Sequence, residues 1–222
     1  MSENIRTSFS EDLKRLRHDI LTMATKVEEG LGKALFALQN NDIELAREVR
    51  SGDEMVDAMQ FKIEDEAAII IATQQPVARD LRELVTIFKL TSNIERAGDY
   101  AVHLARIVKK LSKLEIPYRV QEHLERMSAT GQEMLRSAIS AYLARDTEAA
   151  RKTAALDSVI DDEHRILVED ILGLIKKNPK LAKKAIKIFS ASNYLERLGD
   201  HITNMCEAII YLVEGKHEDL NE

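Results

Sequence analysis

One motif occurs twice in this chain of 222 residues. Asn93-Ile94-Glu95-Arg96-Ala97-Gly98-Asp99 returns as Asn193-Tyr194-Leu195-Glu196-Arg197-Leu198-Gly199-Asp200, with Glu, Arg, Gly and Asp in the same order and 196 − 95 = 200 − 99 = 101. The surroundings repeat too. Ile87, Leu90, Ile94, Ala97, Ala101, Leu104, Val108 and Leu111 follow the three-then-four spacing of one helix face, and adding 101 to each number gives Ile188, Ala191, Leu195, Leu198, Ile202, Met205, Ile209 and Leu212, all apolar. A stripe of this period used twice restricts the chain to two similar helical units.

Composition agrees. Charged residues make up 32 %, aromatics 5 %, and there are 3 prolines and 8 glycines, which suits long amphipathic helices and not sheets. Six helices are expected, over about 7–38, 43–73, 77–111, 117–144, 147–176 and 180–213. Asn40-Asn41 and Arg145 break the chain, with Asp42 and Asp146 restarting it; Pro76, Pro179 and Gly215 end helices. The fold class is all-α, two tandem antiparallel three-helix bundles. The first is expected over 1–115, with a seam near Lys113–Glu115, and the second over 116–216. Residues 217–222 are a polar tail expected to fray.

The repeated acids raise the chemical question. Glu95 with Asp99, and Glu196 with Asp200, sit one helical turn apart on a face that also carries Phe88, Val102 and Phe189. The second helix of each unit has a matching pair, Asp53 with Asp57 and Asp157 with Asp161. Folding each unit as a hairpin about its proline sets 57 level with 95 and 53 with 99, then 161 with 196 and 157 with 200. Four half-buried carboxylates cannot all stay ionised without compensation. Oxygen-only ligands suit magnesium, manganese, calcium or iron; zinc prefers nitrogen or sulfur. The competing reading is an acidic face paired with Arg96, Arg197 and nearby lysines. His103, His164 and His201 are read as ordinary polar helix residues.

Other features narrow the function. The net charge of −6 argues against a nucleic-acid partner. Cys206 is the only cysteine, so no intramolecular disulfide forms, and a small core residue is expected there. No basic-then-apolar leader and no long apolar run are present, which points to a cytoplasmic protein without membrane insertion. There is no Gly-rich phosphate loop and no nucleophile beside a base, so the expectation is a protein that is not an enzyme. The alternative is a metal-dependent hydrolase or oxidase that uses the same acids to activate water.

The doubled motif, with Arg79-Asp80-Leu81-Arg82, resembles the PhoU family of bacterial phosphate-signalling regulators over about 9–215. The resemblance implies two three-helix bundles, frequent homodimers and a cytoplasmic location. It implies an adaptor between the ATPase of a phosphate ABC transporter and a sensor histidine kinase, acting as a negative regulator of phosphate metabolism. It also implies multinuclear metal (iron or zinc in some members) held by the acidic pairs, which fall here on Glu95, Asp99, Glu196 and Asp200, with Asp53, Asp57, Asp157 and Asp161 as counterparts. The second unit departs from the pattern in having Lys180-Leu181-Ala182-Lys183 where the first has Arg79-Asp80-Leu81-Arg82.

Overall fold

The computed structural model describes residues 2–111 and 116–221. These form α1 (Ser2–Asn40), α2 (Ile43–Ser51), α3 (Asp53–Gln74), α4 (Arg79–Leu111), α5 (Tyr118–Ala144), α6 (Thr147–Ala154), α7 (Asp157–Lys177), a 3-10 turn (Pro179–Leu181) and α8 (Ala182–Glu214). There is no strand among the described residues. The seam expected at Lys113–Glu115 lies outside them.

The restarts work as their chemistry requires. Asn41 and Arg145 both take the left-handed conformation at φ 56° and turn the chain. Asp42 then accepts hydrogen bonds from the amides of Glu44 and Leu45 at 3.1 and 3.0 Å, and Asp146 accepts one from Ala149 at 3.0 Å. Each carboxylate satisfies amides that a helix start leaves without partners.

All sixteen residues of the repeated stripe are buried. Each unit lays its last helix, α4 or α8, against its own earlier helices, and α4 and α8 also pack antiparallel along each other. Thr86 donates to the carbonyl of Ala208 at 3.3 Å and His201 Nδ1 lies 2.8 Å from Asn93 Oδ1 across that seam. The two hairpin tips therefore point to opposite ends of the molecule.

Two expectations are corrected. The second helix of each unit is not continuous: it divides at Gly52 and again at Ala155-Leu156. Both breaks stay in the right-handed region but tighten to i→i+3 bonding, as in Met55 to Gly52 and Val159 to Leu156 at 3.2 and 3.0 Å. Such a tight turn re-aims the helix that follows. The tail does not fray. His217 stacks on Tyr211 at 4.4 Å, Glu218 pairs with Arg151 at 2.7 Å, and the Leu220 amide donates to Glu207 at 2.9 Å. Leu220 packs against the core, so apolar contact as well as charge holds the tail down.

Candidate metal centre

Because the breaks fall where they do, Asp53 is the first residue of α3 and Asp157 the first of α7. Asp57 and Asp161 follow one turn later. Glu95 and Asp99 on α4 face the first pair, and Glu196 and Asp200 on α8 face the second. Each set of four lies in a common field. Burial raises the Asp53 carboxyl, and Asp57 and Asp99 raise it further. Burial raises Glu95, followed by Asp99, Asp57 and Asp53. In the second unit burial raises Asp157 to about 7, with Asp161, Asp200 and Glu196 adding to it. Glu196 and Asp200 are raised for the same two reasons, burial first and neighbouring carboxylates second.

The two sets are not alike. In the first, Arg96 pairs with Asp99 at 3.0 Å and with Glu95 at 3.6 Å, as the paired-acidic-face reading expects. In the second, Arg197 reaches toward Tyr100 across the α4–α8 seam. Asp157 is half-buried and closely surrounded. Its Oδ2 accepts from Thr203 at 3.3 Å, while its Oδ1 is buried without a hydrogen-bond partner. That oxygen occupies the space above Gly199, where an added Cβ would stand 2.0 Å from it. Gly98 is crowded less, by Val27 at 3.3 Å and Val56 at 3.4 Å. Both motif glycines are thus sites of close approach between neighbouring helices.

Donor sets made of oxygen alone, one with an orphaned buried oxygen, fit a hard cation chemically. As they stand they are not drawn together: among the described residues no group of three or more His, Cys, Asp or Glu side chains is placed to hold a metal ion. The histidines stay at the margin. His103 stacks on Tyr194 at 4.9 Å, His201 bonds Asn93, and His164 tilts against Phe189 at 5.9 Å with its Nδ1 unpartnered. Burial lowers the pKa of His164 and His201, which keeps both rings neutral near pH 7. Cys206 is buried as expected, and burial pushes its thiol up to about 12.

Sequence reasoning missed one cluster entirely. Glu83, 1 % exposed on α4, accepts Arg17 Nη2 at 2.5 Å and also pairs with Arg145. It ties α1 and α4 of the first unit to the turn between α5 and α6 of the second. The residues lie 66 and 62 positions from Glu83, so no local pattern marks them.

A duplicated helical hairpin with four facing carboxylates in each half defines a class of all-α proteins with internal twofold repetition. The chain matches the PhoU domain twice, over residues 20–108 and 124–209, and it belongs to the PhoU family. It is 31 % identical to the phosphate-specific transport system accessory protein PhoU homolog of Clostridium acetobutylicum, over 98 % of this chain and 99 % of that one. The Escherichia coli accessory protein PhoU is 30 % identical, over 97 % and 89 %. The crystal structure of PhoU from Pseudomonas aeruginosa superposes with a TM-score of 0.89 at 31 % identity, covering 94 % of this chain and all of the other. The phosphate transport system regulatory protein PhoU from Streptococcus pneumoniae gives 0.87 at 29 % identity, covering 95 % and 99 %. Among the described residues no helix is long and apolar enough to cross a membrane.

Proposed function

We propose that this protein regulates phosphate uptake and the phosphate-starvation response, as an adaptor between the ATPase of a phosphate ABC transporter and a sensor histidine kinase, and that it represses the response when phosphate is plentiful. The observation that carries the reading is the near full-length similarity to proteins named as accessory to phosphate-specific transport. The surface supports two partners. The α3–α4 tip exposes Val77 and Leu81 beside Arg79 and Asp80, whereas the α7–α8 tip at the other end exposes Lys176, Lys177, Lys180 and Lys183. One end is apolar with mixed charge and the other basic, so the two suit different surfaces.

The eight carboxylates belong to the same proposal. Asp53, Asp57, Glu95 and Asp99 would hold cations in the first unit, and Asp157, Asp161, Glu196 and Asp200 in the second. A bound cation would offset their mutual repulsion and fix α3 against α4 and α7 against α8. The protein would then offer rigid helix faces to its partners, as a homodimer in the cytoplasm and without catalysis.

The test is genetic. A strain lacking the gene, grown at high phosphate with a phosphate-repressed reporter, should lose repression. Restoring the gene should bring repression back. Unchanged repression in the deletion strain removes the adaptor reading.

A further inference from the structure

Residues 176–187, at the turn from α7 into α8, hold six lysines and no acid, on a chain whose net charge is −6. Lys176, Lys177, Lys180 and Lys183 are exposed, and none of these pairs with a carboxylate among the described residues. Apolar side chains stand beside them. Leu172, one turn before Lys176, is 60 % exposed, and Ile186, just after Lys183, is 55 % exposed. A hairpin turned between 178 and 179 sets 172 level with 185 (2 × 178.5 − 172 = 185), so the two apolar residues lie at one height. Tyr118 is 75 % exposed at the start of α5 and belongs to the same end, because Arg119 beside it pairs with Asp170 of α7 at 2.8 Å.

The first unit shows that the fold does not require this charge. The offset of 104 relates Lys176 and Lys177 to Ala72 and Thr73, and the offset of 101 relates Lys180 and Lys183 to Arg79 and Arg82, where Asp80 and Glu83 balance the two arginines. The carboxylates nearest the basic end are engaged elsewhere, Asp170 by Arg119 and Glu169 by Arg165 at 4.0 Å. Asp161 of the second carboxylate set lies 176 − 161 = 15 residues from Lys176 along α7. At about 1.5 Å per residue that is about 22 Å, against a screening length of about 8 Å at physiological ionic strength. The lysines therefore present a positive field that the chain's own acids do not cancel.

We propose that the lysine-bearing end of the α7–α8 hairpin rests on an anionic membrane surface, with Leu172 and Ile186 entering the headgroup layer. The chemistry favours a lipid surface over an acidic protein. A lysine ammonium is a compact point charge without the fork that an arginine offers to one carboxylate, and it suits the diffuse charge of a bilayer, where each cation adds its own share. A projecting hairpin end meets a plane, whereas a partner segment is seated in a groove. Lysine stems can lie along apolar surface while their charges stay at the phosphates, and an exposed tyrosine suits the same layer. The contact is peripheral, in keeping with the absence among the described residues of a helix able to cross a membrane. It stands independently of the adaptor reading, and it leaves the α3–α4 tip at the far end facing away from the bilayer.

The test is co-sedimentation of the full chain with sucrose-loaded vesicles, either of phosphatidylcholine alone or with about a quarter phosphatidylglycerol. Binding should require the anionic lipid and weaken steeply as salt rises from about 0.1 to about 0.5 M. Lys176→Gln, Lys180→Gln and Lys183→Gln together should lower the partition coefficient roughly a hundredfold, at roughly fivefold for each lysine. Leu172→Ser with Ile186→Ser should lower it roughly tenfold through lost apolar burial. Arg79→Gln, at the opposite end, should leave it unchanged. No binding to the anionic vesicles, equal binding to both kinds, or undiminished binding by the lysine variant would each overturn the assignment. If the wild type ignores vesicles while the lysine variant loses phosphate repression in the reporter strain, the lysines serve an acidic protein and the lipid assignment falls. Vesicle binding by a protein whose deletion leaves repression unchanged would remove the adaptor reading and uphold this one.

Discussion

Asp157→Asn changes one oxygen for a nitrogen and tests whether the second carboxylate set is electrostatically strained without a cation. In chelator-stripped protein the wild-type carboxyl is half-buried, leaves Oδ1 without a partner and faces Asp161, Asp200 and Glu196. Burial and these neighbours move it from the ordinary 3.8 to about 7. The native state therefore holds this proton more tightly than the unfolded chain. The stability that the protonated acid contributes is fully present below about pH 4 and is lost as pH rises through about 7. At 1.36 kcal/mol for each unit the interval from 3.8 to 7 corresponds to about 4 kcal/mol at full weight. Partial exposure screens it to on the order of 1–2 kcal/mol. The asparagine is uncharged and still accepts from Thr203, so it escapes that cost. At pH 8 the variant should be more stable by about 1–2 kcal/mol in urea unfolding, with Tm higher by roughly 2–8 °C for a chain of this size. Near pH 4 the two proteins should converge. A variant no more stable than wild type at pH 8, or one whose advantage is the same at both pH values, refutes the reasoning.

Other substitutions probe separate contacts. Glu83→Gln leaves Arg17 and Arg145 facing a neutral group in a buried setting and should cost about 3 kcal/mol in denaturant unfolding; a loss under ~1 kcal/mol would show that the tie between the units carries little. Gly199→Ala drives a methyl into Asp157 and should destabilise by about 1–3 kcal/mol, whereas Gly98→Ala, with 3.3 Å to a valine methyl, should fall within ~1 kcal/mol of wild type because alanine favours the helix. Similar melting points for the two alanine variants would contradict the difference between the motif copies. Arg151→Glu should release the tail and speed tryptic cleavage after Lys216, and an unchanged cleavage rate would mean the tail is held by Leu220 and His217 instead.

The helical class, the duplication and the buried faces were legible because a repeated stripe leaves little freedom. Every one of its sixteen positions is buried. The heights of the acids were legible as well, since a hairpin turned at a proline sets which residues are level, and Gly199 does lie against Asp157. The helix breaks were less so. Ser51-Gly52-Asp53 carries a glycine and a capping acid, a signal that the apolar spacing on either side masked. Ala155-Leu156 offers none, because both residues are good helix formers held in a tighter turn by packing. The polar sequence of the tail predicts fraying; its packing comes from Arg151, Tyr211 and Glu207, distant partners that a local pattern does not reveal. The same holds for Glu83 between two arginines.

The eight carboxylates are proposed above all as cation holders. Elemental analysis of protein purified without chelator or affinity nickel, wild type against Asp99→Asn with Asp200→Asn, measures this. Bound metal in the wild type and its loss in the double variant is the expected result. Equal metal in both proteins, or none in either, would contradict it.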